Sequence, residues 1–373
     1  MSTAASPEAV PRLRHAVFHR LRVASIERLT DDAVAVTFDV PEDLREQFRF
    51  RPGQHVSVRA DELGDDVRRN YSICAPATGG PLRIGVKRIP EGVFSNFVNE
   101  RLRTGDILDV MTPTGTFSPE LDPAQAKRYV AVAAGSGITP VLSILATALE
   151  VEQQSTAALV YVNLRTSTIM FVEELEDLKN RFPARFEILH VLDEEITGVE
   201  LLSGRLDAER LNRILDTLLP VDDVDDWFLC GPLPMTDTVR AALFDRGVDT
   251  AHIHRELFHV VPAGTPQSTP SWTEADQPDL GGSAVTVVLD GRSLTFNLAR
   301  EGSSILEATL RARPDAPYAC KHGVCGTCRA RVLEGAVEMD TNYALEPDEI
   351  ARGVVLACQS HPVTDQVTVD FDQ

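Results

Sequence analysis

The sequence predicts three folded segments in one chain: an antiparallel β-barrel, a doubly wound α/β domain and a small α+β domain. Three observations carry this. The first third holds short alternating apolar runs separated by turn residues. From residue 129, apolar strands alternate with helices five times. After a stretch rich in Pro, Gly, Ser and Thr, a hairpin signal and a cysteine-rich loop open a third pattern. A length of 373 residues also exceeds what one hydrophobic core usually supports.

In the first segment, Ala33–Phe38, His55–Val58, Leu82–Val86 and Ile107–Val110 alternate as half-buried strands, punctuated by Pro41, Pro52-Gly53, Gly79-Gly80 and Thr104-Gly105-Asp106. This is the rhythm of an antiparallel barrel or sandwich, with one amphipathic helix expected over Ser95–Leu102. In the second, Tyr129–Ala133 is continuously apolar, as a buried parallel strand must be. A helix over Thr139–Glu150 follows, then strand Ala157–Asn163, helix Phe171–Arg181, strand Phe186–Leu192 and helix Ala208–Leu218. Strand Trp227–Cys230, helix Met235–Arg246 and strand His252–Leu257 complete the alternation. Val260–Ser283 reads as a linker; a flexible tether of this length spans roughly 25–30 Å, enough for the last domain to shuttle. Beyond it, Val285–Leu289 and Leu294–Leu298 flank Asp290-Gly291, a tight-hairpin signal. A helix over Ser304–Ala312, the cysteine loop and a final strand Val367–Phe371 complete the chain.

Composition is that of a globular protein, 43% hydrophobic and 25% charged. The net charge of −20 argues against nucleic acid or an anionic membrane as partner, because both reward basic patches. Met1–Leu21 carries no apolar core of signal-peptide length and no stretch approaches a membrane span, so a soluble, cytoplasmic protein is expected. In that compartment clustered cysteines mean metal more often than disulfide.

Four of the six cysteines are spaced Cys320-x4-Cys325-x2-Cys328-x29-Cys358. A [2Fe–2S] cluster needs four thiolates converging on two irons, and this is the plant-type spacing. Gly323 and Gly326 let backbone wrap closely and turn N–H groups toward sulfur. A zinc ribbon needs two Cys-x2-Cys pairs, and this chain has one. Cys74 and Cys230, both apolar-flanked, read as small buried hydrophobes.

Other motifs point to nucleotides. Arg69, Tyr71 and Ser72 open a strand in the barrel; an Arg fork can hold a diphosphate, a Tyr ring can stack on a planar ring system, and a hydroxyl can bond a flavin edge nitrogen. Lys87, then Gly92, Val93 and Ser95, stand at a predicted helix N-terminus, where anions bind, although an ordinary cap accounts for that segment equally well. Gly135-Ser136-Gly137-Ile138-Thr139-Pro140 joins a strand to a helix, the context of a dinucleotide pyrophosphate site. Cys230-Gly231-Pro232-Leu233-Pro234-Met235 follows an apolar strand at the same carboxyl edge of the sheet.

Taken in order, these motifs resemble the ferredoxin–NADP⁺ reductase superfamily fused to a C-terminal plant-type [2Fe–2S] ferredoxin. Cys325-Gly-Thr-Cys-Arg-Ala-Arg, Asn342-Tyr-Ala-Leu-Glu-Pro-Asp-Glu and Cys358-Gln-Ser-His look most like the reductase subunits of ring-1,2-phenylacetyl-CoA epoxidases. The reductases of ketosteroid and ring hydroxylases share the domain order and the cluster spacing. The resemblance implies a tail (1–16), an FAD-binding barrel (17–122), an NAD(P)-binding domain (123–259), the linker (260–283) and a β-grasp ferredoxin domain (284–373). It implies FAD at Arg69, Tyr71 and Ser72, with its diphosphate near Lys87 and the Gly92–Ser95 turn. It also implies the nicotinamide nucleotide over Gly135, Gly137, Thr139 and Pro140 with Gly231 and Pro232, and Ser72 and Cys230 near the hydride-transfer site. Arg165, one position later than the Arg of the family, and Arg205 are candidates for the 2′-phosphate of NADPH, with NADH left open. The function implied is an NAD(P)H-dependent oxidoreductase passing electrons through FAD and the cluster to a di-iron oxygenase, most readily the phenylacetyl-CoA epoxidase; the alternative is another oxygenase such as a ketosteroid or ring hydroxylase. Since the cofactors carry the chemistry, no general acid–base pair is expected, and His252, His254 and His259 are read as strand or surface residues.

Overall fold

A computed structural model of the chain describes residues 17–64, 67–258, 282–289, 291–313 and 316–372. The tail, His259 and the linker lie outside these residues, except Gly282 and Ser283. The chain divides at residue 265 into two compact units.

The first unit opens with an antiparallel sheet. Its strands are β1 (Phe18–Thr30), β2 (Ala33–Asp39), β3 (His55–Arg59), β4 (Arg68–Ser72), β5 (Arg83–Lys87) and β6 (Ile107–Met111), in the order β4-β3-β6-β1-β2-β5. A bridge between Ile73 and Ile84 joins the two edge strands and closes the sheet into a barrel. Leu21, Val36, Val56, Val58, Val86 and Val110 fill its interior. Helix α1 (Val93–Glu100) covers the core through Phe94, Phe97 and Val98 and starts two residues earlier than expected, with Gly92 as its N-cap. Arg69–Ser72 does not open a strand: it fills the last four positions of β4.

A parallel sheet completes this unit. It runs β7 (Arg128–Ala134), α2 (Ile138–Val151), β8 (Thr156–Asn163), α3 (Val172–Arg181), β9 (Phe186–Leu192), α4 (Ala208–Thr217), β10 (Asp226–Gly231), α5 (Leu233–Phe244) and β11 (Ile253–Leu257). The strand order is β11-β10-β7-β8-β9. Connections change direction between β7 and β10, which leaves a crevice beyond their carboxyl ends, where such sheets bind ligands. Tyr129, Trp227 and Phe228 are fully buried on this sheet, each contributing about 1.5–3 kcal/mol of burial. Most boundaries shift by one residue, and helix α5 shifts by two: it runs from Leu233 to Phe244, because Pro232 and Pro234 suit a first helical turn, while His252 belongs to a 3₁₀ turn before β11.

The second unit contains β12 (Ser283–Leu289), β13 (Arg292–Leu298), α6 (Ile305–Ala312), β14 (Arg329–Glu334), β15 (Val337–Met339), α7 (Pro347–Ala351), β16 (Val354–Leu356), β17 (Ser360–Pro362) and β18 (Gln366–Asp370). Its main sheet has the order β13-β12-β18-β14-β16, with β12 and β18 parallel. Leu289 pairs with Arg292, so β12 and β13 form the antiparallel pair expected of the segments that flank Asp290-Gly291. Ser283 is already the first residue of β12, so the linker ends before it. Ser304 caps α6 in a reciprocal pair with Glu307, and Ile305 and Leu306 join Val285 and Val369 in the core. This is the β-grasp arrangement. Among the described residues no helix is long and apolar enough to cross a membrane.

Candidate functional site

Strand β4 presents Arg69 and Tyr71 on one face and Ser72 on the other, as the two-residue period of a strand dictates. The Tyr71 ring packs 5.7 Å from Phe94 of α1. Burial pushes its phenol well up, against the opposing pull of the Arg69 charge, so the ring stays neutral and available for stacking. Arg69 donates to the Arg68 carbonyl at 2.7 Å. Lys87 closes β5 at 3.6 Å from Asp32. The Ser95 hydroxyl accepts from Ile89 N–H and donates to the Gly92 carbonyl, so it fastens the turn that leads into α1, where Val93 is the first helical residue.

The dinucleotide motif packs against the end of β10. A Cβ on Gly137 would lie 2.2 Å from the Cys230 carbonyl oxygen, so only glycine allows this approach. Tyr161 donates to the Gly135 carbonyl at 2.9 Å and Thr139 to that of Ser136 at 3.0 Å, which fixes the turn. Pro140 lies in the first turn of α2, where a missing N–H costs nothing. Gly231 ends β10 and Pro232 caps α5. Both motifs thus stand at the crevice between β7 and β10, with the positive end of the α2 dipole toward it.

Barrel and parallel sheet meet at a polar cluster. Ser72 donates to Glu256 at 3.2 Å, and His55 Nδ1 lies 3.8 Å from the same carboxylate. Thr114 Oγ1 is 3.3 Å from His55 Nε2. Glu256 pairs in register with Cys230 across β10 and β11. The Cys230 thiol is completely buried, and burial followed by the Glu256 charge pushes it well above its ordinary range, so it stays a neutral thiol. The sequence reading named Ser72 and Cys230 but missed Glu256, His55 and Thr114. Glu256 had one available signal, an acidic residue at the carboxyl end of the last parallel strand. Cys74, by contrast, is buried against the Arg83 carbonyl, its thiol pushed up to about 12 by burial. His254 lies 2.9 Å from Asp226, near the amino ends of the strands and away from the crevice.

The two arginine candidates both face carboxylates. Arg165 lies 2.8 Å from Glu194, and the Arg205 charge bears on Asp193.

In the second unit the loop from Cys320 to Cys328 turns through three left-handed residues, Lys321, Gly323 and Gly326. All six cysteines of the chain are free thiols. The four of the motif stand as two interacting pairs, Cys320 with Cys325 and Cys328 with Cys358, and Cys320 Sγ accepts from the N–H groups of His322 and Cys325 at 3.3 and 3.4 Å. The Cys325 side chain, followed by backbone N–H groups of His322, Val324 and Cys325, brings the Cys320 thiol down to about 5 against the effect of burial. Cys358 is lowered by Cys328, and further by the Gly323 N–H and Gln359. Among the described residues no group of three or more His, Cys, Asp or Glu is arranged for a single metal ion. Two thiol pairs ringed by N–H donors fit a cluster of two irons, each held by two sulfurs, with amides directed at the sulfur charge.

Comparison with known proteins agrees with this reading. Residues 20–118 match an oxidoreductase FAD-binding domain, 131–241 an oxidoreductase NAD-binding domain and 287–363 a 2Fe-2S iron-sulfur cluster binding domain. A component of the 1,2-phenylacetyl-CoA epoxidase of Escherichia coli K12 is 44% identical, covering 95% of this chain and 98% of that one. The ferredoxin reductase component of 3-ketosteroid-9-alpha-monooxygenase from Rhodococcus rhodochrous is 35% identical, covering 94% and 96%. The solved structure of phthalate dioxygenase reductase shares the fold with a TM-score of 0.56 at 23% identity, covering 95% of this chain and 98% of that one. This chain belongs to the NAD(P)H-dependent reductase components of oxygenase systems, which carry FAD and a [2Fe–2S] cluster.

Proposed function

We propose that this chain delivers electrons to the oxygenase of a phenylacetyl-CoA epoxidase, a di-iron component. The observation that carries the assignment is the 44% identity to the E. coli epoxidase component over nearly the full length of both chains, against 35% for the ketosteroid reductase. FAD, once bound, would supply the conversion of the electron pair carried by the nicotinamide into the single electrons that the iron–sulfur cluster accepts. The chain's own work is to hold and align. Arg69, Lys87 and the Val93 N–H at the start of α1 bind the flavin diphosphate, with Tyr71 against the ring system. Gly135, Gly137, Thr139 and Pro140 cradle the nucleotide pyrophosphate, and Gly231 and Pro232 border the nicotinamide. Ser72, buried and held by Glu256, fixes the hydroxyl at the flavin edge, while neutral Cys230 shields the nicotinamide side from water. Cys320, Cys325, Cys328 and Cys358 hold the cluster. Four cysteines assigned to a cluster, with Cys74 and Cys230 unpaired, suit a reducing compartment, and we assign the chain to the cytoplasm.

Reconstitution tests the assignment. Purified chain, NAD(P)H and the phenylacetyl-CoA epoxidase oxygenase should yield epoxide, and a ketosteroid hydroxylase oxygenase should yield little product. Turnover with the steroid system alone would replace the first reading with the second.

A further inference from the structure

A dinucleotide pinned by its pyrophosphate at the Gly135–Pro140 turn has only two directions to extend. With its nicotinamide toward Cys230 on β10, its adenosine half runs over the carboxyl ends of β8 and β9. That edge is acidic. The β8–β9 pairing continues past the strand ends, with Asp193 N–H donating to Asn163 O and Glu194 N–H to Leu164 O, both at 2.9 Å. It therefore sets Asp193, Glu194 and Glu195 beside Arg165. Glu194 accepts from Arg165 Nε at 3.0 Å and lies 2.8 Å from Nη2. Glu195 accepts from both the N–H and the hydroxyl of Thr166, at 2.7 and 3.0 Å, and so ties the loop after β8 to the loop after β9. Arg205 bears on Asp193, one of whose carboxylate oxygens is buried without a hydrogen-bond partner. Beneath them, Asn163 is 6% exposed, and neither of its amide atoms makes a hydrogen bond of normal geometry, although its amide lies close enough to Tyr161 to favour the ionised phenol. A buried amide with open valences at the end of the second strand is suited to a polar ligand atom.

Both arginines that could grip a 2′-phosphate are therefore matched by carboxylates, and a third carboxylate stands beside them. A phosphate monoester adds close to two negative charges to this edge. A ribose 2′-hydroxyl instead donates a hydrogen bond to a carboxylate, the familiar means of NAD selection. We propose that this chain selects NADH over NADPH, with Asp193, Glu194 and Glu195 as the specificity-determining residues at the adenosine end; the proposal rests on the pyridine-nucleotide reductase reading above.

The test uses the full-length holoprotein. Calorimetric titration with NAD⁺ and NADP⁺ should show NAD⁺ bound at least tenfold more tightly, and kcat/KM for NADH and NADPH with ferricyanide should follow the same order. The double variant Glu194→Gln/Glu195→Gln should tighten NADP⁺ about tenfold and weaken NAD⁺, so that the preference is lost. NADP⁺ bound equally or more tightly by the unaltered protein, or no more tightly by the double variant, would overturn the proposal while leaving the reductase reading intact. Flavin bleached by neither nucleotide would overturn both.

Discussion

The Ser72 hydroxyl donates to the Glu256 carboxylate at 3.2 Å, and this bond ties the barrel to the parallel sheet where the two cofactor motifs converge. Ser72 pairs with His55 across β3 and β4, and Glu256 pairs with Cys230 across β10 and β11, so each partner is held by its own sheet. A hydrogen bond to a charged group is worth about 1.5–3 kcal/mol, which corresponds to about 10- to 100-fold in rate if it acts in the reaction. Ser72→Ala should slow flavin reduction by nucleotide within that range in stopped-flow measurements, with full FAD content. Ser72→Thr should recover much of the loss. An unchanged reduction rate in Ser72→Ala would remove Ser72 from the reacting site.

Gly137 leads to a second prediction. The atom its Cβ would strike is a backbone carbonyl of β10, which cannot swing aside as a flexible side chain could. Gly137→Ala should destabilise the first unit by about 1–3 kcal/mol, the usual cost of overpacking. It should also weaken nucleotide binding, because the turn and the end of β10 must separate. The visible and EPR signatures of the cluster, held in the other compact unit, should be unchanged. Calorimetry and nucleotide titration of the same preparation check both parts.

What the sequence revealed tracks how local each signal is. The apolar run Tyr129–Ala133 and the helix after it are local signals, and each stands where expected. Strand β1 was missed because His19, Arg20, Arg22, Glu27 and Arg28 break its apolar run, although pairing with both β2 and β6 makes it central to the barrel. Glu256 was missed because its meaning comes from the β10–β11 register and from a barrel residue 184 positions away. Arg165 was named without its partner for the same reason: the β8–β9 register, invisible in sequence, sets Glu194 against it.

Asp226 makes acid stability testable. The residue is 7% exposed, and burial alone would raise its pKa; hydrogen bonds with His254 and Lys127, both at 2.9 Å, outweigh burial and hold it below its ordinary value. A carboxylate depressed on folding stabilises the protein above its unfolded pKa of about 3.9, and that contribution is lost as pH falls through the folded value. Acid unfolding of the first unit should therefore steepen below about pH 4. Asp226→Asn should cost about 1–3 kcal/mol at pH 7 and make this acid limb shallower. An identical acid limb in the variant would show that other carboxylates control it.

The cluster and the flavin motif lie in separate compact units, so their losses should separate. Cys358→Ser removes one sulfur of the Cys328–Cys358 pair and should abolish the [2Fe–2S] EPR signal and most of the bound iron. FAD content and nucleotide-driven ferricyanide reduction should persist, because the flavin alone can pass its two electrons singly to two ferricyanide ions. Arg69→Ala should do the reverse, weakening FAD and leaving the iron in place. Gln359 refines the test. Its amide reaches the Lys321 carbonyl at 2.9 Å and lies 3.6 Å from Cys358 Sγ, so it both fastens the loop and donates toward a cluster sulfur. Gln359→Ala should keep the cluster but speed its loss to a chelator about tenfold, the lower end of what supporting contacts around a metal contribute. It should also lower the cluster's reduction potential, because a donor to sulfur favours the more negative reduced state. A faster loss with an unmoved potential would make Gln359 a fastener of the loop and leave the tuning to the backbone amides of His322, Gly323, Val324 and Cys325.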